Sequence, residues 1–394
     1  MGNFIPLSVP NFEGNEKKYV IDAVEQGWVS TGGAYITELE KSLAKFINAG
    51  AVAACQSGTS ALHLSLVGSG VTPDSMVIVP TVTFIAAVNP VKYQFADPVF
   101  MDCDDSLCID PIKLREFCSI ECEIKKNVLY HRGTGKKVKA IVVVHVFGNM
   151  ADMEAIMDIA KEYHLKVIED ATEALGTYYT TGRYEGKYAG TIGHYGAYSF
   201  NGNKIITTGG GGAVTADMEA EVNYLKYLST QAKDDPHYYI HNNVGYNYRM
   251  TNLQAALGVA QVEKLSEFIL RKQKNYELYK ELFAGFELAE LMPYREGTSS
   301  NSWFYSLKIN KSKVKAEMRE IITKLEKEGV GTRAIWGLIH EQVPYQDSLA
   351  YKIEKAKYYS SCILNIPCST NITKEEIEYV ARTIKGILNE MAEV

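Results

Sequence analysis

One lysine in this chain, Lys204, is placed where its amine could act as a nucleophile. It follows an aromatic segment that ends at Phe200 and precedes four consecutive glycines at 209–212. Burial lowers the pKa of an ammonium group, and the free amine that results can form a Schiff base. The alternative is a solvated loop lysine, because most lysines are exposed. The segment by itself leaves both interpretations open.

An acid upstream of this lysine favours the chemical interpretation. Asp170 follows a hydrophobic segment at 165–169 that we predict to be a strand. A Schiff-base lysine and an acid that pairs with a pyridinium nitrogen are the protein groups that pyridoxal 5'-phosphate (PLP) chemistry requires. Glu173, three residues after the acid, could reach the phenolic oxygen of that cofactor, or it could be a surface acid on a helix.

A phosphate site is predicted where Ser57, Gly58 and Thr59 open a helix directly after a strand. The free N–H groups and the dipole of a helix N-terminus favour an anion, and a glycine lets the backbone approach it closely. An ordinary helix cap is the more common role of such residues, so the phosphate interpretation depends on the lysine and the acid described above. Ser199 could add a hydroxyl to the same phosphate.

Four other features have a structural explanation that competes with a functional one. Phe84 could stack on a cofactor ring, although its spacing alone favours a core aromatic. His145 closes a core strand, and a core histidine with its hydrogen bonds satisfied is a better interpretation than a base. The glycine-containing segments at 133–136 and 209–212 lack the spacing of a nucleotide-binding loop, so we predict turns there.

The elements that must position these residues alternate between strands and helices. Predicted strands lie at 52–55, 76–79, 99–101, 138–146 and 165–169, with helices that include 83–91 and 153–163 between them. This alternation is typical of an α/β fold with a mostly parallel sheet covered on both faces. We expect a large domain at 1–250, with an inserted hairpin or loop near 119–137.

A smaller C-terminal α/β domain is expected at 251–394. It begins with a helical pattern at 252–283, which is too long for one ordinary helix without a kink or a domain junction. A strand at 303–309 follows, then helices at 313–328, 349–360 and 373–391.

Composition and charge exclude several classes of protein. The 394 residues are 46% hydrophobic and 22% charged, which fits neither a disordered nor a fibrous chain. The net charge of −6 and the lack of a basic block argue against nucleic acid as a partner. Seven cysteines without a Cys-x-x-Cys pair favour reduced thiols, and no Cys and His cluster indicates a metal site. Without a signal peptide or a membrane-length apolar run, the expected location is the cytoplasm.

Four motifs occur in order along the chain and carry a resemblance to a known family. The motifs are SGTSAL at 57–62, EDATEALG at 169–176, SFNGNK at 199–204 with TTGGGG at 207–212, and GYNYRM at 245–250. With these motifs, the chain resembles the DegT/DnrJ/StrS family of PLP-dependent nucleotide-sugar aminotransferases nearly from end to end. This resemblance implies the aspartate-aminotransferase-like architecture (fold type I) and a homodimer with active sites shared between subunits.

The resemblance also implies roles for individual residues. Lys204 would form the Schiff base with PLP and Asp170 would pair with the pyridine nitrogen. The other cofactor-binding residues would be Gly58, Thr59 and Ser199 at the phosphate, Phe84 over the ring, Glu173, and Asn247 at the phosphate in the neighbouring subunit. The sugar-nucleotide groove would be lined by Trp28, Ser30, Thr31, Arg249, Arg333, Trp336 and His340.

Departures from the family pattern narrow the expected substrate. Many members carry Gln or His where this chain has Glu173, many have TTGEGG at 207–212, and many lack the segment at 119–137. These features resemble the branch that serves legionaminic-acid-type sugars, with a UDP-linked 4-keto-6-deoxy-N-acetylhexosamine as substrate and L-glutamate as the implied amino donor. The alternatives are a PLP-dependent sugar dehydratase, in which a histidine would replace Lys204, and a non-catalytic regulator that binds PLP or a sugar nucleotide.

Overall fold

The structure is a computed structural model that describes residues 4–392, and β-sheets organise it. The strands within these residues, in chain order, are β1 (Ala53–Cys55), β2 (Ser75–Pro80), β3 (Asp97–Met101), β4 (Cys122–Lys125), β5 (Val128–His131), β6 (Lys137–Val144), β7 (Lys166–Asp170), β8 (Tyr178–Tyr179), β9 (Tyr195–Ser199), β10 (Gly212–Ala216), β11 (Ala289–Leu291), β12 (Thr298–Ser299), β13 (Tyr305–Ile309), β14 (Arg333–Ala334), β15 (Leu349–Tyr351) and β16 (Ile363–Ile366).

Helices cover these sheets. In chain order they are α1 (Glu16–Glu25), α2 (Ala34–Phe46), α3 (Gly58–Gly68), α4 (Asn89–Tyr93), α5 (Pro111–Ile120), α6 (Met153–Tyr163), α7 (Glu219–Ser229), α8 (Asn252–Phe283), α9 (Met318–Lys327), α10 (Lys355–Cys362) and α11 (Lys374–Glu390).

The larger sheet has the strand order β1-β10-β9-β7-β6-β2-β3-β15. Its central pairs are parallel, and β10 runs antiparallel to both of its neighbours. Strands β6 and β7 are almost wholly buried and rich in valine and isoleucine, as expected where helices cover both faces of a sheet. The predicted α/β fold with a mostly parallel sheet is confirmed.

Within the segment at 119–137, β4 and β5 form an antiparallel hairpin. Strand β5 also pairs with the first residues of β6, so the hairpin extends one end of the larger sheet. The predicted turn at 133–136 lies between β5 and β6.

The second sheet has four strands in the order β11-β13-β16-β14. The 32-residue helix α8 links the two sheets without a break, and it packs against α1 and α2 as well as α11 and β11. A capping box between Thr251 and Gln254 begins it, because each side chain bonds the backbone N–H of the other residue. The long helical pattern at 252–283 is therefore one continuous helix that contacts elements from both ends of the chain.

Two predicted helices are wrong in part. Residues 83–91 contain only a 3₁₀ turn at Ile85–Ala87 before α4 begins at Asn89, where Pro90 suits the first turn because proline has no N–H to donate. In the region predicted as a helix at 349–360, β15 instead adds a parallel edge strand to β3. Helix α10 begins later, where the buried Asp102 carboxylate accepts hydrogen bonds from the backbone N–H groups of residues 354–356.

The seven cysteines all lie within the described residues, and each is buried and free. No helix among residues 4–392 is both long and apolar enough to span a membrane.

Candidate active site

A cavity of about 620 Å³ opens at the carboxyl ends of the parallel strands. Val144 ends β6, Asp170 ends β7 and Ser199 ends β9, and all three line the cavity. In open α/β sheets, ligands bind in the crevice outside the carboxyl ends of the strands. The topology therefore places the cavity where a ligand is expected.

Lys204 lies in the turn after β9 and lines this cavity. Only 13% of its side chain is exposed, and Nζ lies 3.5 Å from Oε1 of Glu173. The same nitrogen lies 4.2 Å from the ring centroid of Trp303. The lysine is therefore enclosed between an acid and an aromatic ring, which contradicts the alternative of a solvated loop lysine.

The carboxyl group of Asp170 is buried and faces the same cavity. Burial raises its pKa, while a 3.1 Å hydrogen bond from the Thr172 N–H to Oδ1 and the nearby Lys204 ammonium oppose that shift. A desolvated carboxylate of this kind is stabilised by any cation placed beside it. Asp170 thus has the property needed to keep a proton on a heterocyclic nitrogen.

Glu173 is buried, which contradicts the alternative of a surface acid on a helix. Its Oε2 accepts a 2.9 Å hydrogen bond from the Phe147 N–H, and its Oε1 faces Lys204. Burial raises the pKa of the Glu173 carboxyl to about 7, although the Lys204 ammonium works in the opposite direction. The carboxyl group beside the lysine therefore titrates near neutral pH.

The raised pKa of Glu173 predicts a pH-dependent effect of Glu173→Gln on the stability of the cofactor-free protein. The pKa of this carboxyl is about 7 in the folded protein against an ordinary value of 4.5. The contribution of the protonated Glu173 carboxyl to folding stability is therefore fully present below about pH 4.5 and is lost as the pH rises through about 7. The reason is that the carboxyl group releases its proton at a lower pH in the unfolded chain than in the folded protein. The loss at pH 8 is on the order of 3 kcal/mol, and glutamine avoids it.

We expect the Glu173→Gln variant to be more stable relative to the wild type at pH 8 than at pH 5. The free energy of unfolding of the variant minus that of the wild type should therefore be larger at pH 8. Urea unfolding curves at the two pH values measure this difference. Glu185→Gln, at an exposed position, is the matched control. A Glu173→Gln difference that is identical at both pH values would contradict the prediction.

The predicted phosphate site is the start of α3, where Ser57 is the N-cap and its Oγ accepts a 3.0 Å hydrogen bond from the Ser60 N–H. Gly58 and Thr59 line the cavity beside Ser199. A Cβ atom at Gly58 would lie only 2.8 Å from the Cβ of Ser199, so only glycine fits between the two. The structure thus places free N–H groups and hydroxyls together at one end of the cavity.

The glycine tract at 209–212 completes this end of the cavity. Gly210 and Gly211 line it, and Gly212 begins β10 directly beneath the start of α3. A Cβ atom at Gly212 would lie 2.5 Å from the carbonyl carbon of Ser57. The segment predicted to be only a turn therefore also lets the helix N-terminus approach the sheet.

Aromatic side chains form another wall of the cavity. Phe84 lines it with 56% of its surface exposed, so it is not a core aromatic. Trp303 stacks on Phe304 with ring centroids 3.9 Å apart, and Trp336 lies 4.6 Å from Phe147. Of these five, the sequence singled out only Phe84 and Trp336, because no motif or periodicity links the remote segments that carry the others.

His145 is buried, and both of its ring nitrogens have partners. Nδ1 accepts a 3.1 Å hydrogen bond from the Ala151 N–H, and Nε2 donates to Glu169 Oε2 at 2.9 Å. The prediction of a satisfied core histidine is confirmed.

Within this chain, the structure brings only some of the predicted substrate residues to the cavity. Arg333 and Trp336 line it. Arg249 does not, because its guanidinium is buried against Glu40 at 2.6 Å. His340 lies apart from the lining, where Nδ1 hydrogen-bonds the Thr81 hydroxyl at 2.7 Å. The remaining residues are exposed and outside the lining: Trp28, Ser30, Thr31 and Asn247.

The residues around the cavity fit PLP. A helix N-terminus held close by glycine suits its phosphate, a buried carboxylate suits its pyridinium nitrogen, and an enclosed lysine suits its aldehyde. Within residues 4–392, no group of three or more His, Cys, Asp or Glu side chains is arranged to hold a metal ion. The parallel sheet, the second smaller sheet and this donor set are those of the class of fold-type-I PLP-dependent enzymes.

Comparisons with known proteins agree with this class. The model of the DegT/DnrJ/EryC1/StrS aminotransferase family matches residues 10–385, and the chain belongs to that family. It is 32% identical over 386 residues to a GDP-perosamine synthase of Caulobacter vibrioides, covering 98% of both chains. It is also 32% identical over 377 residues to the putative pyridoxal phosphate-dependent aminotransferase EpsN of Bacillus subtilis, covering 94% of this chain and 92% of EpsN.

Solved structures show the same fold. The structure of DesI with its TDP-sugar product has a TM-score of 0.87 at 23% identity and covers 98% of this chain and 94% of DesI. The structure of Helicobacter pylori PseC matches with a TM-score of 0.86 at 21% identity and covers 98% of this chain and 100% of PseC. The activity follows from the family rather than from these structures: as a member of the DegT/DnrJ/EryC1/StrS family, the chain is a PLP-dependent sugar aminotransferase.

Proposed function

We propose that the protein transfers an amino group from L-glutamate to the C4 ketone of a nucleotide-linked 4-keto-6-deoxy sugar. The product would serve the synthesis of a surface glycan or a nonulosonic acid. The observation that carries the proposal is the enclosed Lys204 amine in one cavity with the buried Asp170 carboxylate and the start of α3. These are the three protein groups that PLP-dependent amino transfer requires.

When bound, PLP supplies an electron sink for the carbanionic charge that develops on the substrate carbon. Lys204 would hold the cofactor and then, once released, remove a proton from the amino donor and later return one to C4 of the sugar. Asp170 would keep the pyridine nitrogen protonated. Glu173 would orient the lysine, and Phe84 would cover the open face of the ring and exclude water.

The proposal also specifies the nucleotide and the sugar of the substrate. The motif pattern resembles the branch that uses a UDP-linked 4-keto-6-deoxy-N-acetylhexosamine, and we propose this substrate first. Three relatives at 32% identity are each named GDP-perosamine synthase, which favours a GDP-linked sugar as the second candidate.

A panel of UDP-, GDP- and dTDP-linked 4-keto-6-deoxy sugars tests this function. Each is incubated with the PLP-loaded protein and L-glutamate, and mass spectrometry detects the aminated sugar nucleotide. We expect amination of the UDP-linked N-acetylhexosamine. Glutamate must also convert the yellow form of the protein to the aminated cofactor. A protein that shows neither reaction would be the non-catalytic regulator, and elimination without amination would indicate a dehydratase.

We also propose a homodimer with shared active sites. Trp28, Ser30, Thr31 and Asn247 support it because they are exposed and lie outside the cavity of their own chain, where a second subunit could use them. Sedimentation equilibrium tests the dimer. A cytoplasmic location remains a proposal, supported by seven buried free thiols.

A further inference from the structure

We propose that Arg333 and Asn365 form one anion-binding pair that holds a carboxylate of the amino donor in the first half of the reaction and the diphosphate of the sugar nucleotide in the second. This inference rests on the proposed function and deepens it. It adds Asn365 to the site and assigns both substrates to one pair of side chains, used in turn.

The two residues are neighbours across the small sheet. Arg333 of β14 lies directly opposite Asn365 of β16 in the antiparallel register, and both line the cavity. Side chains of directly opposed residues project from the same face, with Cβ atoms roughly 4.5–5.5 Å apart. A guanidinium and an amide therefore stand side by side at the wall of the cavity that the smaller sheet provides.

Both side chains have donors to offer. Asn365 is buried and its Oδ1 accepts a 2.8 Å hydrogen bond from the Ser306 hydroxyl, an arrangement that leaves the Nδ2 group as a donor. Arg333 is exposed, and no carboxylate within residues 4–392 lies within 4.0 Å of its guanidinium. A guanidinium with free N–H groups binds carboxylate or phosphate through two parallel hydrogen bonds.

The charges that one chain contributes to the cavity favour Arg333 for this task. Among residues 4–392, the basic residues in the lining are Lys204 and Arg333, and the acids are Asp170 and Glu173. The lysine faces Glu173 and is the residue committed to the cofactor. Both substrates carry negative charge that the two acids repel, so each anion is directed to the arginine.

The order of the two half-reactions allows one pair to serve both substrates. The amino donor leaves as a keto acid before the sugar nucleotide enters, so the cavity never holds both anions together. Carboxylate and diphosphate share the oxygen geometry that a guanidinium recognises. The same donors can therefore bind one anion after the other.

Arg333→Gln tests the pair with two independent measurements. The first is the concentration dependence of the loss of yellow colour when L-glutamate is added to the PLP-loaded variant. The second is calorimetric titration with UDP alone and with GDP alone. A charged hydrogen bond of this kind changes an affinity roughly 10- to 100-fold, so we expect both dissociation constants to rise by that factor. Cofactor absorbance should stay unchanged.

Two further variants complete the design. Asn365→Asp places a carboxylate beside the guanidinium and should weaken both ligands as well, and it serves as the test if Arg333→Gln fails to fold. Arg319→Gln, at an exposed arginine on α9, is the matched control and should change neither affinity. Arg333→Lys keeps the charge and should recover only part of each affinity, because lysine lacks the planar fork.

An effect of Arg333→Gln on only one ligand, or on neither, would overturn the shared pair. This outcome is distinct from a failure of the proposed function, which is measured on the wild type with the panel of 4-keto sugars. A wild type that aminates a sugar while Arg333→Gln binds both ligands normally defeats only the present inference.

Discussion

Replacing Lys204 by alanine will abolish covalent attachment of PLP and will lower amino transfer by at least roughly 10²–10⁴-fold, the range for loss of general acid–base catalysis alone. The reason is that its amine lies enclosed between Glu173 and Trp303. Within residues 4–392 of the chain, no other lysine lines the cavity, so no neighbouring amine of this chain can replace it. Borohydride reduction followed by peptide mass spectrometry reports the covalent link, and the rate of sugar amination reports catalysis.

Two variants separate the nucleophile from the charge. Lys204→Arg keeps a cation opposite Glu173 but cannot form the covalent link, so we expect it to be as inactive as the alanine variant. Lys187→Ala removes an exposed lysine and should leave both measurements unchanged. Near-normal turnover in the Lys204→Ala variant would disprove the assignment of the lysine.

The central part of the site could be predicted because its residues depend on local sequence. Ser57, Asp170 and Ser199 each lie at or just beyond the end of a strand that the sequence pattern indicates. The carboxyl ends of parallel strands meet at one edge of a sheet, so strand ends suffice to predict that these residues approach each other. The α/β class could be predicted for the same reason.

The aromatic wall of the cavity could not be predicted in this way. Trp303 and Phe147 come from distant parts of the chain, and only tertiary packing brings them beside the lysine. The edge strand β15 was missed as well. Its three residues carry too little periodicity to distinguish a strand from the helix that follows, and pairing with β3 decides the outcome.

Arg249 shows how a motif can identify a segment without identifying the role of each side chain in it. The segment at 245–250 matches the family motif, but the guanidinium of Arg249 meets Glu40, which also binds Lys226 at 2.7 Å. Both contacts are buried or partly buried and lie away from the cavity lining. A motif alone contains no information about which way a side chain points.

The Asp170→Asn substitution is the second change from which we expect a large loss of activity. Asparagine has almost the same shape and its Oδ1 can still accept the hydrogen bond from the Thr172 N–H, so the fold around β7 should remain. The amide carries no negative charge, however, and cannot hold a proton on the pyridine nitrogen. Since removal of one preorganised electrostatic group typically costs about 10²–10³-fold in turnover, we expect a loss of that size with PLP still attached to Lys204.

The measurements are kcat for sugar amination and the visible absorbance of the loaded variant, which should show bound cofactor. Asp158→Asn is the matched control, because Asp158 is a surface acid paired with Arg183 and lies outside the cavity. The same exchange of chemical group at that position should leave kcat unchanged. The burial that raises the pKa of Asp170 makes its ionisation unfavourable without a cation beside it. An Asp170→Asn variant with wild-type kcat would therefore show that this buried charge serves no partner on the cofactor.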